Sequence, residues 1–218
     1  MKRLRSLAAK PWALPLLCYL SAAVIWLALG AVHAVADTAA KASGRLVTRE
    51  MAVTDFALAD LNVVSSGESG QTVLETTSND PQMILEDVSN ETVRTLQMDA
   101  GYEGTVGEMC LYYTTAAGQE YSKDRRVFPT RQSDGSYLYT LPRGSIVALR
   151  LDPCSPEENK SVTITIEKIL LNRPAGFGSY FVPSWYQVFC LVLYPGLAAA
   201  VLCWAGGALR TVRHRKDG

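Results

Sequence analysis

Two stretches of the chain are apolar without interruption by a charge, Trp12 to Ala36 and Trp185 to Leu209, and the segment between them changes to a finer alternation. At about 1.5 Å per helical residue, either stretch is long enough to cross a hydrocarbon core of about 30 Å, so two transmembrane helices are predicted. From Met51 onward the period falls to two. Val162, Ile164 and Ile166 alternate with Ser161, Thr163, Thr165 and Glu167, as a strand with one buried face requires. Val147, Leu149 and Leu151 alternate with polar or small neighbours in the same way, as do Met109, Leu111 and Tyr113. Weaker alternation over 56–61, 72–75, 82–86, 93–98, 126–130 and 137–141 adds further candidate strands. Turn signals separate them at Ser66-Gly67, Asn79-Asp80-Pro81, Gly118 and Asp134-Gly135. Eight or nine short strands with no amphipathic helix among them predict an all-β ectodomain, an antiparallel jelly-roll-like β-sandwich, flanked by the two transmembrane helices.

The expected organisation follows from these boundaries. A basic tail over 1–11 precedes the first span, 12–36, and a stalk over 37–50 leads into the sandwich, 51–173. A membrane-proximal linker, 174–184, leads to the second span, 185–209, and a basic tail, 210–218. Ala34-Val35-Ala36 imitates a cleavage site after an export signal, but the apolar run is longer than such signals usually are, which favours an uncleaved signal anchor. Ser184 and Gln187 have capping-box spacing for the second helix, and Pro195-Gly196 predicts a kink within it. Gly30-x-x-x-Ala34 and Gly196-x-x-x-Ala200 are small-residue spacings that let helices approach closely. Phe177, Tyr180, Phe181, Trp185 and Tyr186 suit the headgroup level.

Charge sharpens the picture. The whole chain is formally neutral, yet eight of its 21 basic residues lie in the two tails. Residues 37–182 hold 13 basic and 20 acidic side chains. Basic flanks mark the cytoplasmic side, so both termini are expected in the cytoplasm and the acidic domain outside, in the cell membrane. An acidic domain has the wrong sign for nucleic acid, which is excluded as the main partner.

Candidate chemistry is sparse. The only histidines, His33 and His214, lie outside the predicted sandwich, which removes His-dependent catalytic triads and the usual His-containing zinc sites from it. No enzyme activity and no cofactor are expected, apart from a structural calcium ion that Asp80, Asp152 and Glu167 would serve at strand ends or loops. All four tryptophans belong to the apolar runs, so ligand stacking falls to tyrosines. Tyr102, Tyr112, Tyr121, Tyr137 and Tyr139 are the stacking candidates, and of these Tyr112, Tyr137 and Tyr139, with Arg150, are the candidate ligand-binding residues. Lys123, Arg125, Arg126 and Arg131 read as a solvated basic loop beside a hairpin. Cys110 and Cys154, the two cysteines of the outer domain, are either a disulfide or a pair of free thiols.

The order SNDPQMIL, MCLYYTT, YTLPRGSIVALRLDP and SVTITIEKILL, spanning Phe56 to Asn172, resembles the sandwich modules attached to bacterial membrane proteins of surface-polysaccharide and glycosyl-transfer systems. The resemblance implies a galactose-binding-like, carbohydrate-facing accessory domain. Its expected partners are the membrane and a cell-envelope glycan. In architecture alone, two spans around one outer domain are similar to the polysaccharide co-polymerases. This implies the alternative of a structural subunit that docks onto a larger membrane protein without binding sugar.

Overall fold

The period-two stretches pair into two antiparallel sheets. The computed structural model describes residues 12–67 and 71–216, and the basic residues Lys2, Arg3, Arg5 and Lys10 of the expected inner tail lie outside them. Two compact units emerge. One joins the residues up to Asp37 to those from Ala175 onward, and the other is Thr38–Pro174.

The second unit is a β-sandwich. Its five-stranded sheet runs in the order β2 (Ala57–Ala59), β5 (Gln82–Leu85), β11 (Ala148–Asp152), β7 (Cys110–Thr114) and β8 (Arg126–Val127). The seven-stranded sheet runs β3 (Leu61–Ser66), β4 (Thr72–Thr76), β12 (Thr163–Leu171), β6 (Thr95–Glu103), β10 (Tyr137–Thr140) and β9 (Thr130–Arg131), with β1 (Arg49–Met51) also paired to β12. Leu74, Leu96, Met98, Ile164 and Ile169 of the larger sheet pack in one core with Met83, Leu85, Leu111, Leu149 and Leu151 of the smaller. Because apolar positions recur every second residue, each strand buries one face and exposes the other.

Among the described residues, twelve strands stand where eight or nine were expected. β1 and β3 were absent from the pattern because REM and LNVVSS lack alternation. The single stretch expected over 126–130 divides in two, since β8 belongs to one sheet and β9 to the other. β12 also runs further than its alternation. Ile164 and Ile166 are buried, then Glu167 and Lys168 are both exposed, and Ile169 and Leu171 are buried again. A β-bulge between Ile166 and Lys168 shifts the register against β6 by one residue and returns the apolar side chains to the core.

The first unit contains most of α1 (Ala13–Ala42) and all of α2 (Trp185–Lys216). Both pass the length and composition required of a membrane span. The Ser184–Gln187 capping box forms: Ser184 N–H donates to Gln187 Oε1 at 2.9 Å, and Gln187 N–H donates to Ser184 Oγ at 3.2 Å. Pro195 sits inside α2, and the Tyr19 hydroxyl of α1 donates to the nearby Val192 carbonyl at 3.0 Å. The small residues are close-approach points. A Cβ on Gly30 would lie 2.9 Å from the Phe181 ring and from the Tyr180 carbonyl oxygen, and one on Gly196 would lie 3.1 Å from the Tyr19 hydroxyl. Gly30→Ala is therefore expected to loosen this unit by about 1–3 kcal/mol through overpacking. Near-ultraviolet dichroism of the tryptophans, all of which belong to this unit, reads the loss, and an unchanged thermal midpoint would refute the close approach.

Candidate functional site

Register brings the polar side chains of the smaller sheet into a row. On β11, Leu149 and Leu151 face the core, so Ala148, Arg150 and Asp152 take the outer face. Arg150 is the cross-strand partner of Tyr112 on β7, and Tyr112 that of Arg126 on β8. On the other side Arg150 pairs with Ile84 of β5, and Ile84 with Ala57 of β2. At about 4.8 Å between strands, these five positions form a line perpendicular to the chain direction.

The row is held by charge and by rings. Arg150 donates from Nε to Asp152 Oδ1 at 2.7 Å and from Nη2 to Asp152 Oδ2 at 2.9 Å, a bidentate pair. Nη2 also reaches Asp80 Oδ1 at 2.7 Å, while Gln82 Nε2 donates to Asp80 Oδ2 at 2.7 Å. The Arg150 guanidinium carbon lies 5.2 Å from the Tyr112 ring centre. Tyr112 meets Tyr121 edge to face at 6.5 Å. Arg126 pairs with Glu108 at 2.8 Å and stands 4.8 Å over the Phe128 ring. The Nη1 group of Arg150 has no hydrogen-bond partner among the described residues, so its donors face outward unoccupied.

Burial divides the charges. Asp152 is 7% exposed. Its burial pushes the carboxyl above the ordinary value of 3.8, and the hydrogen bonds and charge of Arg150 only partly offset this. Burial also works against the Arg150 charge, but Asp152 and Asp80 outweigh it and hold the guanidinium above its ordinary range. Burial pushes the Tyr112 hydroxyl up, and the adjoining Cys110 adds to it.

The raised Asp152 carboxyl has a signed consequence. A folded-state pKa above the unfolded one contributes stability that is full below the unfolded value of 3.8 and is lost as pH rises through the folded value. Relative to Asp152→Asn, which cannot titrate, the wild type should lose stability as pH rises above the unfolded value of 3.8, read as urea midpoints below that value and at neutral pH. A constant gap between the two proteins would mean that burial does not hold the proton there.

The structure sorts the sequence candidates. Tyr112, Arg150, Asp80 and Asp152 come together. Tyr139 is 0% exposed and belongs to the core, its hydroxyl without a partner among the described residues, so it is not available at the surface. Tyr137 packs half-buried on the same core, edge to face with Tyr102 at 6.0 Å. The three expected calcium ligands do not come together: Arg150 bridges Asp80 and Asp152, and Glu167 stands on β12 in the other sheet. No cluster of three or more metal-ligating side chains occurs among the described residues.

Cys110 and Cys154 are free thiols, both buried. Cys110 lies 3.9 Å from Asp152 Oδ2, while Cys154 belongs to the core cluster. Burial pushes these thiols up to about 11 and about 12, with Asp152 adding to each, so both stay protonated and unreactive near neutral pH.

Glu108, Phe128 and Gln82 escaped the sequence reading. Arg126 read as part of a solvated basic loop, because a two-residue strand carries no period. Its position follows only from pairing with Tyr112.

No family profile and no curated protein matches the sequence. Solved structures similar to the chain include carbohydrate-binding modules, an adhesin domain of a gingipain and a carbohydrate esterase. A low-affinity xylan-binding module, CBM86 of Roseburia intestinalis, is 16% identical, with 61% of this chain and 99% of that one covered at a TM-score of 0.38. A CBM35 module of Paenibacillus barcinonensis is 14% identical, over 59% and 99% at 0.37. A CBM6 module of Clostridium stercorarium, solved with cellobiose, is 8% identical, over 58% and 94% at 0.36. At these values the likeness carries no argument about this chain.

Proposed function

We propose that the chain is a non-catalytic, membrane-anchored binding module, its jelly-roll-like sandwich displayed outside the cell on two transmembrane helices and facing a carbohydrate of the cell envelope. The Arg126–Tyr112–Arg150 row carries this reading. A sugar ring offers an apolar C–H face and a rim of hydroxyls. Tyr112 and Tyr121 supply rings for the first, while Arg150 Nη1 donors and the outward lone pairs of Asp80 and Glu108 serve the second. Each arginine of the row is paired with carboxylates beside it, Arg126 with Glu108 and Arg150 with Asp152 and Asp80, which gives donors and acceptors without a net field that would demand a charged ligand.

The membrane half rests on the two apolar helices of 30 and 32 residues and on the basic residues that flank the apolar runs. On this reading 12–36 and 185–209 span the bilayer, both tails are cytoplasmic, and the chain serves assembly of envelope polysaccharide.

The full chain in detergent micelles, titrated against soluble envelope polysaccharides, tests the ligand. Binding is expected to weaken by about tenfold in Tyr112→Ala, corresponding to loss of about 1.4 kcal/mol of ring stacking. Absence of binding to every envelope polymer would sink the carbohydrate reading. Thiol labelling of cysteines introduced at each end, in sealed vesicles, tests orientation separately.

A further inference from the structure

Charge is divided between the two ends of the sandwich. β12 begins at Thr163 opposite Glu75 and Glu103 and ends at Leu171 opposite Arg49 and Leu96, which assigns the turns to one end or the other. At the Thr163 end, Asp60 with 77–81, 103–109 and 153–161 gives six acidic residues and one basic residue, Lys160. At the Leu171 end, 38–49, 86–94, 141–147 and 172–174 hold six basic residues and three acidic ones. A domain that is acidic as a whole therefore has one cationic end.

Both chain ends of the sandwich are tied together there. Arg45 O accepts from Thr92 N–H at 2.7 Å, Thr92 O accepts from the Asn172 amide at 2.8 Å, and Arg173 follows directly. Lys41 lies in the last turn of α1, which Gly44 closes at φ +72, so that Gly44 N–H donates to Lys41 O at 3.0 Å and Arg45 N–H to Ala40 O at 2.9 Å. Arg49, Arg126, Arg150, Lys160 and Lys168 each hold a carboxylate. Lys41, Arg45 and Arg173 form no ion pair among the described residues. Arg45 donates to Ser43 Oγ at 3.3 Å and Arg173 to Gln132 Oε1 at 2.9 Å, and the field of Arg173 reaches Asp134 without pairing. Of the three acids at this end, Glu91 is taken by Arg49 and Asp87 accepts from Ser89 N–H at 2.8 Å.

Position along the chain says which anion they meet. α1 is unbroken from Ala13 to Ala42, so with the span ending at Ala36, Lys41 stands about 7.5 Å further along the same helix, at the depth of lipid headgroups. Arg45 follows within one tight turn. A phosphodiester carries one negative charge and several acceptor oxygens, which suits an ammonium and the donor fork of a guanidinium. Lys and Arg beside an anionic bilayer surface are attracted to it, and the attraction is screened by salt.

We propose that Lys41, Arg45 and Arg173 form a contact surface for the phosphodiester headgroups of anionic lipids in the outer leaflet. This rests on the membrane reading proposed above and is independent of the Arg150 row.

Hydrogen exchange of the full chain in lipid nanodiscs tests it. Replacing about a third of the phosphatidylcholine by phosphatidylglycerol is expected to slow the amides of 41–48 by about fivefold or more, the factor expected of one Lys or Arg at an anionic surface. Added salt should erase the difference. Lys41→Gln with Arg45→Gln, both exposed and outside the strands, should remove most of it, whereas Lys160→Gln at the acidic end should keep it. Soluble glycerol phosphate added to phosphatidylcholine discs should leave exchange unchanged. Equal exchange in the two lipids, a difference that survives Lys41→Gln with Arg45→Gln, or one that disappears in Lys160→Gln would overturn the proposal. Slowing by glycerol phosphate alone would also overturn it, by assigning the cationic end to a free phosphate. A chain that enters the discs and fails these arms leaves the two spans standing, while a chain that does not enter them overturns the membrane reading and this inference together.

Discussion

Gly107→Ala is expected to destabilise the sandwich by about 3–5 kcal/mol, because two independent penalties meet at one position. Gly107 has φ +64, a region that a Cβ disfavours by about 1–2 kcal/mol. In addition, a Cβ there would lie 2.2 Å from the Ser155 carbonyl oxygen and 3.1 Å from its carbon. Those are backbone atoms, and they cannot swing away as a side chain would. The neighbouring residues lock them further: Ser155 N–H donates to Val106 O at 2.7 Å, and the Tyr102 hydroxyl donates to the Pro153 carbonyl at 3.0 Å. Gly118, at φ +70 with nothing within 4 Å of its would-be Cβ, isolates the first penalty. Denaturant unfolding followed by far-ultraviolet dichroism should show Gly118→Ala losing only about 1 kcal/mol. Equal losses at the two sites would remove the clash from the explanation.

The second large effect is expected at Asn172, where the sandwich chain begins its exit. Its side chain is 3% exposed and fully employed. Oδ1 accepts from Arg94 N–H at 2.7 Å, and Nδ2 donates to the Thr92 carbonyl at 2.8 Å and to the Val47 carbonyl at 3.2 Å. Its own backbone N–H donates to Thr95 O at 2.8 Å, and its carbonyl accepts from the Thr48 hydroxyl at 2.6 Å. One residue thus ties the segment entering the sandwich, the approach to β6 and the end of β12. Asn172→Ala leaves one donor and two acceptors without their partner, each costing about 1–3 kcal/mol if it stays dry, so a loss of about 3–5 kcal/mol is expected. Asn also tolerates the left-handed backbone here, φ +55. Asn172→Gly separates the two contributions, since glycine accepts that backbone but supplies no hydrogen bonds. A glycine variant as stable as wild type would show that backbone conformation, and not the three bonds, sets the requirement.

Neither position was legible in the sequence. Their roles depend on partners distant along the chain: the Asn172 amide meets Val47 and Thr92 from 125 and 80 positions away. The candidate site was half legible. Alternation correctly turned Tyr112 and Arg150 away from the core, because facing on a strand is a local property of period two. The same reasoning gave no means to separate Tyr112 from Tyr139, which also sits on a strand. Tyr139 faces inward opposite Leu96, a neighbour chosen by the β10–β6 register. Asp80 and Asp152 were singled out as carboxylates without their counter-ion, since nothing in DPQ or RLDP says that the guanidinium of Arg150 will lie between them.

What the sequence by itself determined is therefore whatever is local: two apolar helices, the Ser184–Gln187 cap, the Asp134-Gly135 turn and the inward face of most strands. These need only neighbouring residues, a helical or two-residue period and backbone preferences. The tertiary structure alone decided which strands became neighbours. That choice set the line from Arg126 through Tyr112 to Arg150 and the bulge that returns Ile169 to the core. The reason is physical. A backbone N–H is satisfied by any carbonyl, so strand pairing is settled by the fit of two whole apolar faces around one core, and this sum is not written in any single stretch of the chain.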